Sequence, residues 1–298
     1  IEAGLPCRNR GGIGPFVQYD PTRLALFHPE RQQPLDPGLV APGSDGLAAE
    51  LARLAYFRFE SDPAALLAAL HALGLAEVGL LHDPAMGSQG FAALDGAGTV
   101  WIAFRGTQPD SLRDLATDAR AWPREWPGGG RVHAGFARAW LGRGSEGIAA
   151  QVAAWLRDRP CRRILATGHS LGGALATLLA ADDARAELVT FGSPCVGDRA
   201  FAARFEGRAV RRYAECCDLV ARVPPQPPYA HVGVLHHVDR QGQVSVAPDE
   251  PLIAADRRAG SLAYLRRHAW RPGTVLLRSL ADHAPINYVS AVLGLRKG

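Results

Sequence analysis

Lysine is almost absent from these 298 residues: of 33 basic side chains, only Lys297 is a lysine. The positive charge is therefore arginine, scattered and set against 29 acids for a net charge of +4. It reads as the compositional bias of a GC-rich genome. No basic run is interleaved with aromatics, so the chain lacks the footprint of a nucleic-acid binder. Long apolar runs are missing too, and nothing approaches the roughly 18 residues of a membrane span. Ile1 to Gly14 holds charges, Pro and Gly but no apolar segment of a secretory signal. A chain beginning at Ile1 leaves a removed leader open, and with it the choice between cytoplasm and export. The five cysteines show no C-x-x-C spacing, and adjacent Cys216 and Cys217 are poorly placed as two ligands of one tetrahedral metal. They are expected to be buried free thiols, with one disulfide as the alternative.

What is present suits one large α/β domain. Apolar residues make up 47% of the chain, enough for a sizeable core. Residues 1–45, rich in Pro, Gly and Arg, read as an extended or partly disordered arm. Residues 46–298 read as a single domain. Helices are expected over 46–59, from Pro63 with Asp62 as cap, over 146–159, 173–181, 261–269 and 284–294. Strands are expected over 75–81, 91–94, 99–104, 163–167, 186–191 and 210–214, with a hairpin in 232–246. Alternating strands and helices imply a mainly parallel sheet with helices on both faces.

One pentapeptide carries chemistry. Gly168-His169-Ser170-Leu171-Gly172 lies between the apolar run Arg163–Thr167 and the Ala/Leu-rich stretch from Gly173. Strand, tight turn and helix are the context of a nucleophile elbow, in which small neighbours let a serine sit on a strained turn. A serine hydroxyl needs a base, and the base needs an orienting acid. On this chain order both lie downstream. Asp218 is favoured because it follows the strand 210–214; Asp182, Asp183, Asp198, Asp239, Asp249 and Asp256 are the competing acids. His283 is favoured because it lies in a loop entering a helix. His231, His236 and His237 fall on the hairpin, where alternation accounts for them.

Several ordered segments together resemble the class 3 lipases. They are Val100–Thr107 (VWIAFRGT), Val132–Phe136 (VHAGF), Gly168–Gly173 (GHSLGG), Phe191–Gly197 (FGSPCVG), Asp218–Pro225 (DLVARVPP), Tyr229–Gly233 (YAHVG) and Asp282-His283 with Tyr288. Cys195 stands where the family has arginine, and Ala221 where it has proline. The resemblance implies an α/β-hydrolase fold with Ser170 as nucleophile, Asp218 as acid and His283 as base. It implies an oxyanion hole from the backbone N–H groups of Thr107 and Leu171. The activity implied is a triacylglycerol lipase working through an acyl-enzyme. The alternatives are an esterase or phospholipase with the same triad, or a lipase-like binding protein. The chemistry calls for no metal and no cofactor, and the partner is a lipid or ester substrate at a lipid–water interface. Because His283 must be neutral to take a proton, activity is expected to fall in acid.

The family also places a lid at about 108–130. There Leu112, Leu115, Ala116 and Ala119 form one narrow helical stripe, followed by Trp122, Trp126 and Gly128-Gly129-Gly130. Leu112, Leu115, Trp122 and Trp126 are the expected lid and substrate contacts, with the glycines as a hinge.

Overall fold

The computed structural model describes residues 18–106, 123–157, 159 and 161–296. Its main sheet is built on β3 (Thr99–Phe104), β6 (Arg163–His169), β7 (Ala186–Phe191), β9 (Val210–Glu215) and β11 (Val234–Val238), all parallel. β1 (Leu75–Asp83) and β2 (Ser88–Asp95) extend one edge and β12 (Val244–Val246) the other, each by antiparallel pairing. The order is β1-β2-β3-β6-β7-β9-β11-β12.

Side chains alternate along a strand, so each inner strand feeds two cores. Trp101 and Ala103 of β3, Leu165 of β6, and Val189 and Phe191 of β7 face one. Val100, Ile102 and Phe104, then Ile164 and Ala166, then Ala186 and Leu188 face the other. The first core is closed by α2 (Asp45–Leu54), α3 (Pro63–Ala72) and α10 (Pro285–Val292). The second is closed by α4 (Ala134–Leu141), α5 (Ile148–Arg157) and α6 (Leu171–Asp182). Asp62 caps α3 by accepting the Ala64 N–H at 3.0 Å, with Pro63 in the first turn. α2 is shorter than its sequence suggests, because after Leu54 the chain tightens into turns that bury Phe57 and Phe59.

The late helix starts far earlier than expected. It is α8, Glu250–Arg267, capped by Asp249. Its buried stripe is Ile253, Asp256, Gly260 and Tyr264. Two of those four are not apolar, which hid the helical period. Asp256 is held by Arg240 at 2.8 Å and His237 at 3.2 Å.

Residues 18–44 are a docked strap. α1 (Arg23–Phe27) packs near the C-terminal helices, and Asp20 and Asn287 exchange hydrogen bonds of 2.8 and 2.9 Å. The Val275 N–H reaches the Pro21 carbonyl at 2.8 Å.

A second, small sheet, not expected from the sequence, joins β4 (Pro123–Glu125), β5 (Arg131–His133), β8 (Gly197–Asp198) and β10 (Tyr229–Ala230). The three glycines 128–130 form its β4–β5 turn, with Trp126 N–H bonded to Gly130 O at 3.0 Å. They are therefore part of a paired hairpin, not a hinge. The remaining helices are α7 (Arg199–Ala203) and α9 (Arg278–Ala281).

Candidate active site

Ser170 sits where β6 ends and α6 begins, with φ 58° and ψ −129°. A non-glycine residue held at such a positive φ costs about 1–3 kcal/mol, so its surroundings must hold it there. The Ser170 N–H donates to Phe191 O at 3.0 Å. Strand and helix also meet too closely for side chains: a Cβ on Gly168 would lie 2.3 Å from the Gly172 carbonyl carbon. The turn ends with the N–H of Leu171, the first residue of α6, which has no intrahelical acceptor.

Asp218 follows β9 and His283 lies between α9 and α10. His283 Nδ1 is 2.8 Å from Asp218 Oδ2. A carboxylate only accepts, so Nδ1 carries the proton and Nε2 presents a lone pair. Asp218 also accepts from the Tyr288 hydroxyl at 2.6 Å and the Val220 N–H at 2.8 Å. Ser170 Oγ and His283 Nε2 are both buried, and neither has a partner among the described residues. These are the two atoms that a proton transfer would use.

A second rung braces the first. Asp282, beside the histidine, accepts the N–H of Cys217, beside the acid, at 2.9 Å. It also holds Arg278 at 3.0 Å and the Tyr19 hydroxyl of the strap at 2.6 Å. Neighbouring pairs 217–282 and 218–283 thus fix the distance between acid loop and histidine loop. Gly192, at φ +57°, closes the site from below: a Cβ there would lie 2.7 Å from Asp218 Oδ2 and 3.1 Å from His283 Nδ1. Gly192→Ala is expected to lower activity far more than it lowers the midpoint of thermal unfolding, measured side by side.

His169 is a wedge. Its ring lies 4.4 Å from that of His283, and its Nδ1 is 2.8 Å from the Tyr56 hydroxyl. Burial, then the His283 ring, push its pKa well below the usual histidine range. His231 is likewise pushed down to about 3 by burial and Arg212, and its Nε2 bonds Ala221 O at 2.9 Å. The unfolded chain would protonate such rings near pH 6.5 while the folded one refuses. Their contribution is therefore whole above that pH and is lost as pH falls toward the folded values. The slope is at most about 1.4 kcal/mol per pH unit for each ring. His231→Asn should flatten the acid limb of a stability-versus-pH curve measured by urea unfolding; an unchanged slope would refute this.

The competing residues have other work. Asp198 caps α7 through the Phe201 N–H at 2.8 Å. Asp182 accepts from Trp140 Nε1 at 2.7 Å, and Asp183 pairs with Arg185. His236 packs against Tyr213. Arg105 bonds Glu60 at 3.2 Å, and His133 caps α4. Cys161, Cys195, Cys216 and Cys217 are free thiols, and Cys7 lies outside the described residues. Thr107, Leu112, Leu115 and Trp122 also lie outside them. Trp126 is described, and it does not fit the expected lid contact: it is 4% exposed, in the core with Phe136 and Trp140. The candidate lid therefore contracts to residues before 123.

Tyr288 was visible in the sequence only as the end of the Asp282-His283 segment; its bond to Asp218 was not. Tyr56 gave no signal. Tyr288→Phe removes one donor to Asp218 and strands the Glu215 N–H, which the hydroxyl accepts at 3.0 Å. Such a loss of a charge-assisted bond is expected to lower kcat about tenfold with KM unchanged. A shift in KM alone would contradict that positioning role.

The parallel sheet with helices on both faces, and the serine turn between strand and helix at its centre, define an α/β-hydrolase fold. Residues 101–227 match the model of the family described as lipase (class 3). Over that segment the chain is similar to the class 3 lipases. It is 34% identical over 155 residues to a lipase of Rhizomucor miehei, a match covering 48% of this chain and 41% of that one. It is 40% identical over 100 residues to secreted mono- and diacylglycerol lipase 1 of Fusarium solani, covering 32% and 30%. The chain thus spans less than half the length of these relatives. The solved structure of Rhizomucor miehei triacylglyceride lipase superposes with a TM-score of 0.54 and 26% identity, over 65% of this chain and 78% of that one.

Proposed function

We propose that the chain hydrolyses carboxylic esters, acylglycerols foremost, through an acyl-enzyme on Ser170. The observation that carries this reading is the Asp218–His283 bond of 2.8 Å, with His283 Nε2 and Ser170 Oγ both buried and unspent. In the mechanism His283 Nε2 takes the Ser170 proton as Oγ attacks the ester carbonyl. Asp218 stabilises the imidazolium, the alcohol leaves with that proton, and water repeats the sequence. The Leu171 N–H and the Thr107 N–H are the proposed oxyanion donors; losing one such donor typically costs on the order of a hundredfold or more. Residues 108–122, with Leu112, Leu115 and Trp122, are the proposed lid. Acylglycerol as substrate is supported by the names of the matched relatives, a lipase and a mono- and diacylglycerol lipase. No helix among the described residues is long and apolar enough to cross a membrane, so the proposed encounter is with a lipid surface from the water side.

The test is hydrolysis of p-nitrophenyl esters from short to long chain, with and without an emulsion. Long-chain preference and a jump at the interface would mark a lidded lipase. A short-chain preference without a jump would make the chain an esterase. No activity on any ester would sink the proposal.

A further inference from the structure

Beside the acid loop lies a cavity of about 590 Å³, lined by residues of β9, β11, residues 230–233 and α8. Three arginines line it: Arg212 of β9, Arg222 just past the acid loop and Arg257 of α8. Among the described residues none of them has a carboxylate partner. The Nε atoms of Arg212 and Arg257 are buried with no hydrogen bond at all. Arg222, at the mouth, spends its Nε on the backbone carbonyl of Asp218 at 3.3 Å. The arginines around them are treated differently. Arg211 holds Asp45, Arg240 holds Asp256, Arg278 holds Asp282 and Arg296 holds Glu215.

The acids of this cavity do not neutralise it. Glu215 is taken by Arg296, and Asp218 by His283 and Tyr288. Glu250 is exposed at the rim. His231 adds an N–H that is already committed to Ala221 O. Burial, then Arg257, lowers the pKa of Arg222, with Asp218 partly opposing, and burial pushes Arg212 down to about 10. A buried guanidinium cannot shed its proton, and without a counter-charge it is costly. Its cost is relieved when an anion sits against it.

We propose that this cavity binds an oxyanion of the phosphate class, held by Arg212, Arg222 and Arg257. A carboxylate satisfies one guanidinium fork, whereas three arginines lining one cavity call for a ligand with more acceptor oxygens and more charge. Bound there, the anion links β9, the acid loop and α8. Neither Ser170 nor His283 lines the cavity, so this ligand is not the ester being cleaved. The proposal does not depend on the hydrolase reading, and it is tested by binding alone.

Thermal unfolding and titration calorimetry of the full chain would be run with inorganic phosphate, chloride holding the ionic strength constant. Phosphate is expected to raise the unfolding midpoint of the native chain. Arg212→Gln should weaken phosphate binding about tenfold or more, and Arg257→Gln should weaken it as well. Arg185→Gln, at an exposed ion pair, should change nothing. Arg212→Met removes the uncompensated charge and should unfold at a higher temperature than the native chain in phosphate-free buffer, which guards against a variant that merely misfolds. The source is separated by a second arm. Binding to phosphatidylcholine vesicles containing phosphatidic acid, but not to pure phosphatidylcholine, with loss in Arg212→Gln, would make the ligand a lipid headgroup. Phosphate binding with no Arg212-dependent vesicle binding would make it free phosphate or a soluble phosphate ester. No Arg212-dependent response to either probe overturns the proposal.

Discussion

Ser170→Ala is expected to reduce ester hydrolysis by about 10⁴-fold or more, with the fold intact. The reason is local. Ser170 Oγ makes no hydrogen bond among the described residues, so its removal strands nothing. Alanine meets the same positive φ as serine, so the stored strain stays in place. Ser170→Gly should be equally inactive but unfold at a higher temperature, because glycine adopts φ 58° without the penalty. The gain is partly offset by the extra freedom of glycine in the unfolded chain. Rates with a p-nitrophenyl ester and melting curves for both variants check this. Persistent hydrolysis in Ser170→Ala would remove Ser170 from the mechanism. A lower melting point for Ser170→Gly would show that the strain relieved is smaller than the entropic cost of glycine.

The second large effect is expected at Asp282, a residue outside the proposed chemistry. It is fully buried and joins the strap, the acid loop and α9 through Tyr19, Cys217 and Arg278. Asp282→Asn leaves the buried guanidinium of Arg278 without its charge partner. Breaking one side of such a pair typically costs about 3–5 kcal/mol. It also loosens the rung beside Asp218–His283, so kcat should fall together with stability. Removing the charge from both sides separates the causes. The double variant Asp282→Asn with Arg278→Met should recover part of the stability, because no buried charge is left unpaired. Urea unfolding of the single and double variants decides it. Additive losses would mean that Asp282 acts through packing alone.

Elements with a strong local signal were read from the sequence nearly to the residue. The strand Thr99–Phe104 alternates between two apolar cores, and Asp62 with Pro63 announces α3 in two residues. α8 was half missed because its buried face carries Asp256 and Gly260, polar or small residues that count as inward only once Arg240 and His237 are beside them. The small sheet was missed because its strands are two or three residues long, too short for any period. Trp126 misled for a related reason: beside three glycines it looks like a loop tip, yet the β4–β5 turn folds it into the core.

The sequence by itself determined the α/β alternation, the serine elbow and the candidates Asp218 and His283. Each of these rests on a local pattern: a period, a cap, or two glycines around one hydroxyl. The tertiary structure alone decided what connects positions far apart in the chain. Asp218 lies 65 residues from His283 and 70 from Tyr288, and no local preference encodes such pairs. The same holds for the Tyr19–Asp282 bond across 263 residues, and for the arginine cavity, whose three side chains come from a strand, a loop and a helix. Those relations exist only after the sheet order is set, because packing places the groups side by side.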